Sequence, residues 1–285
     1  MASNLITLPD IQRLSNRVIR ILGANPGKFT LQGTNTYLVG TGARRWLIDT
    51  GEGTTKWFDL LKHVLTSERA TVEAAILTHW HRDHVGGVSD LISLSPDVKV
   101  YKHQPGPREL DVEDNQTFNL EGATLRVVLS PGHTTDHVAV VLEEEKAIFT
   151  GDSVLGHGTA VFEELGTYLL SLQKMSNQFC NRAYPGHGDI IEDCRARIAE
   201  YIQHRYQREH QVIEILSSAP GNEFWSPEQI VKIIYKDVPN NLHLAAERGV
   251  LLILKKLELD GIAVKESSTN RWRYQNTKLS PQTEV

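Results

Sequence analysis

Eight short apolar runs rich in β-branched residues mark out the first 152 residues: RVIRIL (17–22), TYLVG (36–40), RWLIDTG (45–51), AAILTHW (74–80), VKVY (98–101), ATLRVVLS (123–130), HVAVVLEE (137–144) and AIFTGD (147–152). Runs this short, closed by turn-forming residues, are predicted to be strands. Helical periodicity appears in TKWFDLLKHVLTSE (55–68), GVSDLISL (87–94), EELGTYLLSLQKMS (163–176) and DCRARIAEYIQHRYQREHQVIEILSS (193–218). Strands interspersed with helices imply a layered α/β body in which helices cover sheets.

A chain of 285 residues, 40% hydrophobic and 23% charged, can bury one sizeable core and carry a small appendage. No run approaches the roughly 18 to 20 apolar residues of a membrane span. The opening MASNLITLPDIQRLSNRVIRILG lacks a basic segment followed by an apolar stretch and a cleavage site, so a cytoplasmic location is expected. A net charge of -5 argues against a general polyanion binder. The two cysteines, Cys180 and Cys194, are too few to staple the fold and have no C-x-x-C spacing, so both are expected as reduced, buried thiols.

The expected division is a catalytic domain over 1–205 and a C-terminal domain over 206–285. In the latter, Ser226 is an N-cap and Pro227 the first helical residue of WSPEQIVKIIYKDV. A second helix, NNLHLAAERGVLLILKKLELDG, ends at Gly261, and IAVKES and RWRYQ are short strands. Helix, helix and hairpin resemble a winged helix. Residues 201–275 carry ten Lys/Arg against nine Asp/Glu, a net of +1, which is no basic recognition surface and favours a packing or lid role. The closing LSPQTEV is expected to be a loose tail.

The chemistry concentrates in THWHRDHVGG (78–87), which packs His79, His81, Asp83 and His84 behind a strand. In a loop leaving that strand, His79 and His81 can turn toward one ion while Asp83 and His84 reach toward a second. His133 in SPGHTTDH, Asp152 in FTGD and His187 in YPGHG are lone donors in tight turns. Most of these positions follow a strand directly, so loops can present them at one sheet edge while the sheet holds them rigid. Five histidines and two aspartates form a nitrogen- and oxygen-rich set that suits two zinc ions and lacks the thiolates of a structural finger.

In order and spacing, THWHRDHVGG, SPGHTTDH, FTGD and YPGHG resemble the metallo-β-lactamase superfamily, in its dizinc hydrolase branch. The resemblance implies an αβ/βα sandwich, here with a C-terminal winged-helix-like appendage. It also implies that His79, His81 and His133 hold one zinc, Asp83, His84 and His187 the other, and Asp152 bridges both. Diiron electron-transfer members typically carry a Glu where this chain has His81, which disfavours redox chemistry. NPGKFTLQGTNTYLVGTG, LIDTGEG, FTGDSVLGHGTAVFEEL, AYPGHG and WSPEQIVKIIYKDVPNNLH are similar to the β-lactamase-like protein 2 group. Its fungal branch includes atrochrysone carboxyl acyl carrier protein thioesterases, and its animal branch acts as a zinc-dependent single-strand endoribonuclease. NPGKF, the DTGEG ending and VYKHQPGPRELDVEDNQTF look more like the fungal branch.

What this implies is a zinc-dependent thioesterase whose partner is an acyl carrier protein of a polyketide synthase, with nucleic acid as substrate only in the alternative. Two zinc ions sharing a water lower its pKa from 15.7 toward about 7. The hydroxide would attack the thioester carbonyl, with Asp83 aiming it and His84 completing the catalytic pair. A leaving thiol of pKa about 8.5 needs little protonation, whereas an RNA alkoxide benefits from an acid. His137 and His157 are the candidate acids, but His137 reads better as a partner of the metal-binding residues and His157 as an ordinary loop residue. Asp49 is expected to hydrogen-bond a ligating histidine or its loop. Asn35 is readable as a substrate contact or as a structural bond in a turn.

Overall fold

The computed structural model describes residues 5–218, 223–239 and 243–275. A six-stranded sheet runs in chain order through β1 (Ile11–Arg13), β2 (Val18–Leu22), β3 (Asn35–Val39), β4 (Arg44–Ile48), β5 (Thr71–Leu77) and β6 (Lys99–Lys102). The first four strands pair antiparallel; β4, β5 and β6 pair in parallel. The parallel pairs require crossovers. These run through α1 (Thr55–Glu68) and then through α2 (Arg82–Val85) and α3 (Val88–Leu94). A second sheet has the order β11-β10-β9-β8-β7, built from β7 (Thr117–Leu120), β8 (Ala123–Leu129), β9 (Val138–Leu142), β10 (Ala147–Gly151) and β11 (Arg182–Pro185). It is antiparallel except for β10 and β11, which are joined through α4 (Leu165–Ser176).

Period-two alternation places the core. On β3, Tyr37 and Val39 join Val18, Trp46, Ile48 and Ile76 against Leu125, Val127, Val138, Val140 and Phe149 of the second sheet. Leu38, on the opposite face of β3, packs instead with Leu47, Ala75, Trp57, Leu61 and Val64 beneath α1. That helix starts at Thr54, whose side chain accepts from Trp57 N, and stops at Arg69 in the left-handed region. On the far side, α4 is tied to the second sheet by Ser171 Oγ donating to the Pro131 carbonyl at 2.6 Å and Lys174 Nζ to the Leu129 carbonyl at 3.0 Å. The layering is helix, sheet, sheet, helix, as the resemblance implies.

Three elements were not expected. Strand β1 has only three residues, and β7 alternates exposed and half-buried positions, so neither presents an apolar run. Where a loop was expected after His81, residues Arg82–Val85 form a single helical turn, with His81 in the N-cap position. The turn satisfies the backbone locally: the N–H groups of His84 and Val85 both bond the His81 carbonyl, at 2.9 and 3.1 Å.

The chain divides into two compact units, Met1–Glu163 with Thr167–Tyr201, and Glu164–Gly166 with Ile202–Val285. Helix α5 (Cys194–Ser217) begins in the first and runs on into the second. In the second unit α6 (Pro227–Ile234) packs on α7 (His243–Leu259), followed by a hairpin of β12 (Ala263–Lys265) and β13 (Trp272–Tyr274). Ser226 and Gln229 form a reciprocal capping box at the start of α6. Trp272 is buried, and its indole N–H donates to Glu258 at 3.0 Å. The expected start of the second helix at 240–242 and the tail LSPQTEV lie outside the described residues. Among the described residues no helix is long and apolar enough to cross a membrane. Cys180 and Cys194 are free and buried, and burial pushes their thiols up to about 11 and about 12.

Candidate metal centre

The ends of β4, β5, β8, β10 and β11 meet at one edge of the sandwich, and the seven donors lie in the turns that leave them. They fall into two groups. His79, His81, His133 and Asp152 form one, and Asp83, His84 and His187 the other; within each, the ligand atoms lie inside 4.8 Å of one another. In the first, His81 Nδ1 is 2.9 Å from His79 Nε2 and 3.1 Å from His133 Nε2. In the second, Asp83 Oδ2 is 3.4 Å from His84 Nε2 and 3.2 Å from His187 Nε2. Asp152 faces both: its oxygens are 3.7 Å from His133 Nε2, 3.4 Å from His84 Nε2 and 3.3 Å from His187 Nε2. A break in the β10–β11 register between Phe149 and Gly151 brings the chain to Asp152.

Four of the five rings are aimed from behind. Asp49, in the left-handed region with φ 58°, accepts from the Thr78 backbone N–H at 2.7 Å, from Thr78 Oγ1 at 2.9 Å and from His84 Nδ1 at 2.7 Å. Since the Thr78 hydroxyl proton goes to Asp49, its oxygen accepts from His79 Nδ1 at 3.0 Å. His133 Nδ1 donates to the Val161 carbonyl at 2.8 Å, and His187 Nδ1 approaches the Gly33 carbonyl at 3.5 Å. These bonds orient the rings and turn Nε2 of His79, His84, His133 and His187 toward the centre.

The turn carrying His187 belongs to the second sheet but is stapled to the first. Asn35 Nδ2 donates to the carbonyls of Pro185 at 2.9 Å and Gly188 at 2.8 Å, and Tyr37 Oη to Pro185 at 2.6 Å. Asn35 is fully buried, so its amide serves this turn. His137 is also fully buried; its Nε2 accepts the Asp152 backbone N–H at 3.1 Å, and Nδ1 meets Ser130 Oγ at 2.9 Å. Both nitrogens of His137 are therefore engaged in holding the Asp152 turn. His157 is exposed and stands outside the donor groups.

Burial and the neighbouring carboxylates pull the buried histidines in opposite directions. Burial drives His79 and His137 well below the ordinary histidine range. Burial acts the same way on His84 and His187, but Asp152 and Asp49 raise His84 well above that range, and Asp152 and Asp83 raise His187 to about 9. Although burial opposes it, His187 and His84 hold Asp83 and Asp152 below the usual carboxylate range. Two buried atoms that face each other across 3.4 Å, His84 Nε2 and Asp152 Oδ1, have no hydrogen-bond partner. A buried ring nitrogen and carboxylate oxygen without such partners fit a metal-ion site, because leaving them unmatched is costly.

Several contributors were not singled out in the sequence. Thr34 Oγ1 donates to Asp83 Oδ2 at 3.2 Å and accepts from Asn25 Nδ2 at 3.0 Å. Lys102 and Asp136, both buried, pair at 2.5 Å behind the His133 turn. A cleft of about 240 Å³ opens over His133 and Asp152, lined by Phe29, Leu31, Leu155, Ala160 and Val161 with Lys28, His157 and Thr159.

Residues 29–109 and 103–201 match the family model of the Metallo-beta-lactamase superfamily, and 226–272 that of the Beta-lactamase associated winged helix domain. The chain belongs to the metallo-β-lactamase superfamily. Membership together with relatives named as thioesterases makes it a hydrolase, and its C-terminal unit carries a winged helix. It is 42% identical over 293 residues to an atrochrysone carboxyl ACP thioesterase, dmxR1, of Cryptosporiopsis sp. (strain 8999), covering 97% of this chain and 91% of that one. It is 47% identical to an atrochrysone carboxyl ACP thioesterase of Aspergillus chevalieri, over 84% of this chain and 80% of that one. Among superfamily structures, a Beta-lactamase domain protein from Burkholderia ambifaria superposes with a TM-score of 0.80 at 20% identity, covering 96% of both chains. A metallo-beta-lactamase family protein from Thermus thermophilus gives 0.72 at 21% identity, over 94% of this chain and 99% of that one.

Proposed function

We propose that this superfamily member is a dizinc thioesterase that releases a polyketide acyl chain from an acyl carrier protein by hydrolysis. The observation that carries the reading is the pair of donor groups with Asp152 facing both, together with the buried His84 Nε2 and Asp152 Oδ1 that have no hydrogen-bond partner. Relatives named for acyl carrier protein thioester hydrolysis, matched along nearly the whole chain, support the substrate class. His79, His81 and His133 would hold one zinc and Asp83, His84 and His187 the other, with Asp152 between them. Zinc held there would lower the pKa of bound water toward about 7 and polarise the attacked carbonyl.

The protein's own groups supply the rest. Thr34 takes up Asp83 Oδ2, and the partly exposed carboxylate retains acceptor capacity for the attacking water's proton. His84, locked by Asp49, keeps its Nε2 aimed at the centre. Neither nitrogen of His137 is available as an acid, which a thiol leaving group does not require. The cleft favours an acyl chain over a polynucleotide: five of its lining side chains are apolar and Lys28 is its single Lys or Arg, whereas RNA binding rests on several phosphate contacts.

Metal analysis of purified protein should give two zinc ions per chain. In paired assays, acyl thioesters of N-acetylcysteamine should be hydrolysed, with Asp83→Asn and His84→Ala inactive, and single-stranded RNA should remain intact. Cleavage of RNA with thioesters untouched would overturn the substrate; full turnover by both variants would overturn the metal mechanism.

A further inference from the structure

The first donor group is drawn from both sheets. His79 and His81 leave β5 of the six-stranded sheet, whereas His133 stands in the turn between β8 and β9 of the second. Whatever fixes the spacing of the sheets at this edge therefore fixes the spacing of these three rings. The other donor group is divided in the same way, and there Asn35 holds the His187 turn to the first sheet.

The corresponding tie for His133 is an ion pair. Lys102, the last residue of β6, stands beside Leu77 in the parallel register, two positions before His79. Its ammonium meets Oδ2 of Asp136, three positions after His133, at 2.5 Å. It also donates to the His103 carbonyl at 2.9 Å and the Gln104 carbonyl at 3.2 Å. Asp136 Oδ1 accepts from Thr134 Oγ1 at 2.7 Å, so the carboxylate gathers the residue next to His133 as well. Alongside, the Val138 N–H donates to the Thr78 carbonyl at 2.8 Å. The bond from His133 Nδ1 to the Val161 carbonyl cannot do this work: it turns the ring, but Val161 follows β10 of the same sheet and does not hold the ring against β5.

Both partners are buried, with 8% and 3% of their side chains exposed. Apart from the ion pair, Asp136 Oδ2 has no hydrogen-bond partner among the described residues. Two buried charges stabilise a fold little better than apolar side chains of the same volume, because desolvation offsets their attraction. What this pair adds is geometry: the three ammonium hydrogens are committed at once to a carboxylate in the second sheet's turn and to two carbonyls at the end of β6. We infer that Lys102 and Asp136 are positioning residues for one donor group, holding the His133 ring at its distance from His79 and His81 and so setting ion affinity there, but not at the group of Asp83, His84 and His187. The inference rests on the metal-binding part of the proposed function and is independent of the substrate.

The test measures the zinc affinity of the full-length protein by competition with a chromophoric chelator, in backgrounds that leave one donor group complete. In His187→Ala the group of His79, His81 and His133 remains, and adding Lys102→Met should weaken its ion about tenfold or more. In His133→Ala the other group remains, and adding Lys102→Met should leave its ion within about twofold. Lys102→Met strands a buried carboxylate at a cost that threatens folding, so the double change Lys102→Met with Asp136→Leu is measured alongside. That variant should keep a Tm near the wild-type value and still show the tenfold loss in the His187→Ala background. Undiminished affinity there would overturn the inference, because apolar packing would then serve as well as the pair. An equal loss in both backgrounds would overturn it too. Wild-type protein that binds no zinc would overturn the metal centre itself, whereas a wild type that binds two ions, with the Lys102 variants unchanged, overturns only the role of the pair.

Discussion

Asp49 Oδ2 lies 2.7 Å from His84 Nδ1, and the same oxygen takes the Thr78 hydroxyl proton at 2.9 Å, so one carboxylate orients a histidine in each donor group: His84 directly and His79 through Thr78. Partners of this kind typically alter metal affinity by about 10- to 100-fold. Asp49→Ala should therefore lower zinc affinity at both positions by that order, read by competition with a chromophoric chelator. Loss at only one position would mean that the Thr78 relay contributes nothing. The variant also leaves Thr78 N–H and His84 Nδ1 unpaired in a buried place, at a cost of about 1–3 kcal/mol each, visible as a lower Tm.

Thr34→Val separates positioning from ligation. The substitution keeps the shape of a fully buried side chain and removes the proton donated to Asp83 Oδ2. Asp83 remains able to coordinate, so metal content should stay at the wild-type level while kcat falls about tenfold with KM little changed. Thr34→Ser should restore most of the rate. A parallel loss of metal in Thr34→Val would reassign Thr34 to holding the ligand rather than aiming it.

The donor residues could be read from the chain because each followed a strand or sat between turn residues, and because histidines at that density have no use in an ordinary core. The sheet-to-sheet staple could not be read. Asn35 reaches Pro185 and Gly188 some 150 positions away, and nothing local in LQGTNTYLV encodes that contact. Thr34 and Thr78 were passed over for a chemical reason: a hydroxyl is not a metal-type donor, and its role exists only once a carboxylate or ring lies beside it. Strand β7 escaped notice because one face is exposed and the other only half-covered, which blurs the alternation on which strand prediction depends. The helical turn at Arg82–Val85 hid inside a motif read for its side chains.

Metal removal should expose a pH dependence of definite sign. Without ions, Asp152, Asp83 and Asp49 hold His84 and His187 protonated, His187 up to about 9. Groups raised in the folded state stabilise it fully below the unfolded histidine value of about 6.5, and that contribution disappears as pH rises through the folded value. The Tm of chelator-stripped protein should therefore decline between about pH 6.5 and about pH 9, and that of the zinc form should not follow it. Zinc requires neutral imidazoles, so its uptake at pH 7 should release protons, measurable by calorimetry in buffers of different ionisation enthalpy. Zinc uptake without proton release would show that the two histidines are already neutral.

Gly186 offers a steric test of the shared carboxylate. A Cβ built there would stand 2.4 Å from Asp152 Oδ1 and 3.0 Å from His84 Cε1, closer than carbon approaches such atoms. Its backbone is not in the left-handed region, unlike that of Gly188 at φ 83°, so Gly186→Ala adds no conformational strain of its own. The methyl group must be relieved by moving Asp152 or the ring of His84, the two residues that face each other across the centre. Gly186→Ala should accordingly keep the circular dichroism spectrum of the wild type while binding less than two zinc ions and losing about 100-fold or more in kcat/KM, since a misplacement of about 1 Å is enough for such a loss. Activity within about threefold of wild type, with both metals bound, would mean that the β11 turn yields instead, and that Asp152 is held less firmly than its backbone bond to His137 and its ion-pair contacts with His84 and His187 indicate.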